Sequence, residues 1–213
     1  MFTGIIQAKG SIHEVHPSEK GAVLVINSDG LDLTDSNVGD SIAVNGVCLT
    51  ATKLKENFFT ADVSQETLNC TTFSELTKGQ HVNLEKSLRL NQGIDGHLVS
   101  GHVDGVGEVC SVYSEGESTR LKIKVMTDLM KYIAKKGSIC INGVSLTVNS
   151  VIGNIFDVNI VPHTLSATTL GDLNEKSKVN LEIDIIARHV EQLISHKIDS
   201  GVDLSALDKN EHL

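Results

Sequence analysis

Tryptophan is absent from this chain of 213 residues, and aromatic residues of all kinds make up only 3% of it. Any core must therefore be built from Val, Ile and Leu, and an apolar share of 40% supplies enough of them to exclude a disordered chain. Two prolines, Pro17 and Pro162, leave no Pro-rich linker. Positive charge is also scarce: the formal net charge is −9, which excludes a nucleic-acid or anionic-membrane partner reached through a basic face. The nine histidines do not alter this near neutral pH. The four cysteines, Cys48, Cys70, Cys110 and Cys140, contain no C-x-x-C pair. A zinc site needs ligands at such short spacings, so no metal is expected. Free thiols in a reducing cytoplasm are the simpler reading. The opening MFTGIIQAKG has neither a basic leader nor a long apolar run, so no signal peptide is expected. No stretch approaches the roughly 18 apolar residues of a membrane-spanning helix.

What the chain does have is itself, twice. A shift of 97 lays residues 41–85 over 138–182 without a gap, and 18 of those 45 positions are identical, which marks a duplication. SIAVNGVCLT lies over SICINGVSLT, TLNCTTFSEL over TLSATTLGDL, and VNLE (82–85) over VNLE (179–182). The same shift puts FTGIIQAKGSI over VSGHVDGVGEV, while 13–40 match weakly but keep their length. A period of this size is a small domain rather than a solenoid repeat. Two homologous domains are expected, 1–97 and 98–186, followed by a tail, 187–213.

The matched segments are short runs rich in Val, Ile, Thr and Phe. VCLTATKLKENFFTADVS reads as two strands around Glu56-Asn57, and its twin turns at Gly153-Asn154, a hairpin signal. No long amphipathic helix alternates with these strands, so a doubly wound α/β fold is excluded. The expectation is all-β, with each half a small antiparallel barrel or sandwich. In the tail, Ile186, Val190, Leu193, Ile194 and Lys197/Ile198 recur at helical spacing. That lone amphipathic helix must cover its stripe, either on its own barrel or, as the favoured reading, on another subunit. The last dozen residues are polar and expected to fray.

A duplication offers an internal comparison. Shared positions include Gly4/Gly101, Ser41/Ser138, Asn45/Asn142, Gly46/Gly143, Thr50/Thr147, Thr67/Thr164 and Thr71-Thr72/Thr168-Thr169. Turn, strand and cap roles account for many of these, while the hydroxyls would equally serve as ligand donors. Divergent pairs are Ile5/His102, Cys48/Ser145, Gly39/Lys136 and Glu66/His163. They exchange inert groups for reactive ones, or one reactive group for another. His102, set among glycines in SGHVDG, suits proton transfer near neutral pH or is a surface histidine. Cys48 is a candidate nucleophile or a buried thiol. Lys136, beside Lys135, is by default a solvated pair.

Taken together, MFTGIIQ, GVCLT and GVSLT at fixed separation, SGHVDGVGEV, YIAKKGSICINGVSLTV and PHTL…TTLG closely resemble the riboflavin synthase family over about residues 1–190. The resemblance implies two six-stranded antiparallel Greek-key β-barrels in tandem plus a C-terminal α-helix. It implies a transferase that dismutates two molecules of 6,7-dimethyl-8-ribityllumazine by four-carbon transfer. The products would be riboflavin and 5-amino-6-ribitylamino-pyrimidinedione, in the last step of riboflavin biosynthesis, with no external cofactor. It further implies a cytoplasmic homotrimer held by the C-terminal helices, each active site lying between the first barrel of one subunit and the second of its neighbour. Association with lumazine synthase stays open. The family's catalytic residues carry over to Phe2, Ser41, Cys48, His102, Thr147 and Asp184. A first pocket would use Gly4, Ile5 and Ile6, then Cys48, Leu49 and Thr50, then Asp62, Val63, Ser64, Gln65, Glu66 and Thr67. A second would use Gly101, His102 and Val103, Lys136, then Ser145, Leu146 and Thr147, then Asn159, Ile160, Val161, Pro162, His163 and Thr164. The alternative is a lumazine or flavin carrier without catalysis. It is disfavoured here because both halves keep their pocket motifs.

Overall fold

The computed structural model describes residues 1–199, with side chains placed through Ser195. The expectation for the last dozen residues, and the side chains of Lys197 and Ile198, lie outside this range.

Two closed barrels of six antiparallel strands follow one another. The first comprises β1 (Ala8–Ser18), β2 (Gly21–Asn27), β3 (Ser41–Val44), β4 (Val47–Lys55), β5 (Phe58–Ser64) and β6 (His81–Lys86). Around it the strands run β1-β2-β5-β4-β3-β6. The second comprises β7 (Gly105–Glu115), β8 (Ser118–Lys124), β9 (Ser138–Ile141), β10 (Val144–Ile152), β11 (Ile155–Ile160) and β12 (Lys178–Ile183), in the equivalent order. The pairings of β2 with β5 and of β3 with β6 are the long returns of a Greek key. Short helices α1 (Gln65–Cys70) and α2 (Pro162–Ala167) fill equivalent places, and α3 (Ile185–Asp199) closes the described chain. No described helix is long and apolar enough to cross a membrane.

The duplication reaches the cores. Ile12, Leu24, Ile26, Phe59 and Leu84 are buried in the first barrel, and their counterparts 97 residues on, Val109, Leu121, Ile123, Phe156 and Leu181, in the second. Leu24 and Leu121 belong to the weakly matched stretch, so the register holds where identity is lost. Bulges recur as well, between Ile12 and Glu14 and again between Val109 and Ser111. Hairpins close at Glu56-Asn57 and at Gly153-Asn154, and only Gly153 uses the left-handed region there (φ 58°).

The barrels meet about a pseudo-twofold axis through the two Asn-Gly turns. Asn45 and Asn142 take φ of 45° and 47°. A β-carbon on Gly46 would sit 2.8 Å from the Gly143 nitrogen, and one on Gly143 2.8 Å from that of Gly46, so both positions require glycine. Around them, Asn83 Nδ2 donates to the Asn142 carbonyl (2.8 Å) and Asn180 Nδ2 to that of Asn45 (2.9 Å). The Asn83 amide oxygen accepts from Thr169 N (2.7 Å), and that of Asn180 from Thr72 N (2.8 Å). All four asparagines are buried. Losing one of these bonds would strand a buried partner at about 1–3 kcal/mol. The repeated Asn of VNLE and of NGV therefore clasps the barrels together. Thr71 and Thr168 serve the same end locally: each hydroxyl donates one turn back, to Thr67 O (2.6 Å) and Thr164 O (2.7 Å), and accepts from the amide two residues on. Among the shared hydroxyls, these two are caps.

Candidate active site

Each barrel is preceded by an extended arm, residues 2–6 and 99–103, and the arms are exchanged. Phe2 and Val99 form an antiparallel bridge, with Phe2 N donating to Val99 O (2.7 Å) and Val99 N to Phe2 O (3.1 Å). From this crossing the first arm runs to the second barrel, where Ser145 N donates to Gly4 O (2.8 Å) and Ile6 packs on that barrel's core. The second arm runs to the first barrel. There Cys48 N donates to Gly101 O (2.8 Å), and Val103 packs on the other core. Gly4 and Gly101 permit the approach: a β-carbon on either would lie 2.6 Å from the β-carbon of Ser145 or Cys48. The grouping of Gly4–Ile6 with Cys48–Thr50, and of Gly101–Val103 with Ser145–Thr147, is therefore corrected. Repetition in a sequence shows that two arms exist, but not which copy of the barrel each one packs on.

Buried carboxylates anchor the arms. Glu85 accepts from Thr3 N (2.7 Å), Thr3 Oγ1 (2.7 Å) and Gly4 N (3.1 Å). Glu182 accepts from Ser100 N (2.6 Å), Ser100 Oγ (2.6 Å) and Gly101 N (3.0 Å). Burial raises both carboxyl pKa values, and these hydrogen bonds only partly oppose it. Neither Glu was among the sequence candidates, although each is the last letter of the repeated VNLE.

One half-site thus joins Gly4–Ile6 to Ser145–Thr147. β11 pairs with β10 through Val148 and Val158, which brings Asn159–Thr164 to the same end of the barrel. The other joins Gly101–Val103 to Cys48–Thr50, with Asp62–Thr67 alongside through the Ala51–Ala61 pair. Within these sets the side chains divide. Leu49, Val63 and Ile160 are buried in the cores, so only their backbone would be available to a ligand. Ile5, Thr50, Asp62, Ser64, Gln65, Glu66, His102, Thr147, Val161, Pro162 and His163 are exposed. Ile6, Cys48, Thr67, Val103, Ser145, Leu146, Asn159 and Thr164 are half-buried. Ser64 caps α1, its Oγ accepting from Thr67 N (3.1 Å). Asn159 Oδ1 is buried without a hydrogen-bond partner, as an acceptor held for a donor would be.

The remaining candidates are more dispersed. Phe2 is wholly buried, in a small cluster with Ala43, Val99, Cys140 and Cys48. Ser41 pairs with Thr50 across β3 and β4. Lys136 is exposed and left-handed (φ 68°), like its glycine twin Gly39 (φ 99°). Asp184 precedes α3 and accepts from Ile186 N (2.9 Å). All four thiols are free. Cys140 is the buried one, and burial first, then Glu182 and Glu85, pushes its pKa well above the usual thiol value.

His97 was not legible in the sequence, because it lies between the repeats and has no twin. It is buried, and its Nδ1 stands 2.7 Å from Ser145 Oγ. Clefts follow both arms. One of about 220 Å³ lies beside Thr3, Ile5 and Glu85, and one of about 400 Å³ beside Ser100, His102 and Glu182. A cleft of about 490 Å³ between the barrels, lined by Asn45, Asn142, Thr72 and Thr169, touches none of the predicted site residues.

The lumazine binding domain family matches this chain twice, over residues 3–87 and 100–184. A riboflavin synthase from Photobacterium leiognathi is 47% identical over 93% of this chain and 90% of its own. One from Photobacterium phosphoreum is 43% identical over the whole of both chains. Among solved structures, LumP complexed with 6,7-dimethyl-8-(1'-D-ribityl) lumazine superposes with a TM-score of 0.78 at 30% identity, covering 86% of this chain and 99% of that one.

Proposed function

This chain belongs to the lumazine-binding family, as an enzyme of its riboflavin synthase branch, and we propose that it dismutates 6,7-dimethyl-8-ribityllumazine. Two molecules bind, one at each half-site. A four-carbon unit passes from one to the other, giving riboflavin and 5-amino-6-ribitylamino-pyrimidinedione.

The observation that carries this reading is the pair of equivalent half-sites made by the exchanged arms. A reaction between two copies of one molecule needs two copies of one pocket, and holding both in register supplies much of the rate. It also needs the copies to be unequal, since one gives and the other receives. Inequality is supplied by Ile5 against His102, Cys48 against Ser145, and Gly39 against Lys136. His102 is exposed on the arm that meets Cys48, free to move a proton at the substrate methyl. Ser41, Thr147 and Asp184 would bind or orient, and Phe2 would act by pinning the arm crossing.

The proposed domains are about 1–97 and 98–186, each lending its arm to the half-site of the other. We take the working form to be a cytoplasmic homotrimer, with the half-sites facing each other across subunits. The support is α3, whose Ile186, Val190, Leu193 and Ile194 are 62%, 48%, 65% and 46% exposed in the single chain. The likeness to LumP favours a second reading, a ligand carrier. Two intact half-sites and the closer identity to the enzymes favour catalysis.

The test is to mix a small amount of chain with dimethylribityllumazine and follow riboflavin absorbance. Many equivalents of riboflavin per chain, one for every two lumazines consumed, are expected. Binding without riboflavin would instead establish the carrier.

A further inference from the structure

Two neighbouring observations bear on how the half-sites differ. Ser145 has a histidine partner, His97 Nδ1 at 2.7 Å, while its twin Cys48 sits in an apolar cluster with Phe2 and Val99. The other ring nitrogen, His97 Nε2, is buried with no hydrogen-bond partner among the described residues. The segment before the ring is fixed: His97 N donates to Thr3 O (3.1 Å), and a β-carbon on Gly96 would press on the Ser145 side chain at 2.8 Å. The His97 backbone is thereby held against the first arm and beside Ser145.

From this geometry we propose that His97 is a positioning residue for the Ser145 half-site, holding the Ser145 hydroxyl as a hydrogen-bond donor to the bound pteridine. This inference rests on the function proposed above. Burial keeps the ring neutral, lowering its pKa although Asp184 acts in the opposite direction, so one nitrogen carries the single proton. A buried N–H without an acceptor is rarer and costlier than a bare acceptor. Nε2 is then the bare nitrogen and Nδ1–H donates to Ser145 Oγ. With one lone pair of Oγ engaged, the hydroxyl's own hydrogen points elsewhere, to an oxygen or ring nitrogen of the ligand. The Cys48 half-site has no equivalent among the described residues: a thiol is a weak donor, and Cys48 packs on an apolar cluster. One half-site would thus offer a directed hydroxyl proton and the other a soft, unoriented thiol.

The experiment is a fluorescence titration of the full chain with dimethylribityllumazine, comparing wild type with His97→Asn, His97→Gln, Ser145→Ala and the His97→Gln/Ser145→Ala double variant. Asparagine places an amide nitrogen where Nδ1 was, and glutamine places one where Nε2 was. Ser145→Ala and His97→Gln should each weaken one class of site about tenfold, the loss of one well-aimed hydrogen bond, and leave the other class unchanged. His97→Asn should stay within about threefold of wild type, and the double variant should be no worse than Ser145→Ala alone. Unchanged affinity in His97→Gln, losses that multiply in the double variant, or weakening of both classes together would overturn the role of His97. If His97→Gln fails to fold, His97→Asn and Ser145→Ala carry the test, and a tenfold loss in His97→Asn overturns it. Wild-type chain that binds no lumazine would overturn the proposed function, and this inference with it.

Discussion

Lys136 and Gly39 occupy equivalent places, and both are left-handed, at φ of 68° and 99°. Their amides also donate equivalently, Lys136 N to Val148 O (2.7 Å) and Gly39 N to Ala51 O (2.8 Å). A lysine there costs about 1–2 kcal/mol relative to glycine, less some 0.5–1 kcal/mol because glycine loosens the unfolded chain. Strain retained at one member of a duplicated pair marks a side chain kept for what it does. Lys136→Gly should therefore leave stability unchanged or raise it by up to about 1 kcal/mol in urea unfolding, while weakening lumazine binding. A stability loss above about 1 kcal/mol would show that Lys136 is held for packing instead. The same comparison gives Cys48 and Ser145 different surroundings, an apolar cluster and a buried imidazole, so the single changed letter in NGVCLT and NGVSLT follows a change of environment.

Between residue and barrel lie the arms, each gripped by one buried carboxylate as well as by backbone hydrogen bonds to the other arm and to the other barrel. Glu85 and Glu182 are each 3% exposed and accept three hydrogen bonds apiece from an arm. Either Glu→Gln change turns an amide N–H toward a backbone N–H and should cost about 1–3 kcal/mol. Both folded pKa values lie above the ordinary 4.5, so the folded chain binds these protons more tightly than the unfolded one. Their contribution to stability is fully present below pH 4.5 and is lost as pH rises through the higher folded values. Stability measured against pH should accordingly fall less steeply above pH 4.5 in the Glu85→Gln/Glu182→Gln chain than in wild type. An unchanged slope would show that other groups set it. Strands and hairpins were legible because alternation, turn residues and a constant offset of 97 are written locally. The arms were not: FTGII and VSGHV read as ordinary strand starts, and nothing local states which barrel an extended segment joins. VNLE signalled its own importance by repeating, but only the fold shows that its Glu grips an arm and its Asn the other barrel. His97 carried no signal, since a residue between two repeats has nothing to be compared with.

At the scale of the whole molecule, duplication, the Asn-Gly clasp and exchanged arms yield one body with two related, unequal half-sites. Each half-site draws on both halves of the chain: Gly4 with Ser145, and Gly101 with Cys48. On the proposed reading neither barrel would supply a complete half-site alone, since each arm packs on the other barrel. In the trimer proposed above, the exposed apolar face of α3 would bring chains together so that one half-site meets its complement on a neighbour. That central claim is tested by subunit mixing. One variant carries Ser145→Ala and Thr147→Ala and damages the Ser145 half-site. The other carries Thr50→Ala and His102→Ala and damages the Cys48 half-site. Each alone should make almost no riboflavin from dimethylribityllumazine. If half-sites combine across subunits, unfolding the two together and refolding them as an equal mixture should restore about a quarter of wild-type turnover, the chance that an intact half-site meets an intact complement in a symmetric ring. A mixture as inactive as its parents, with mixed assemblies shown by mass, would contradict the account.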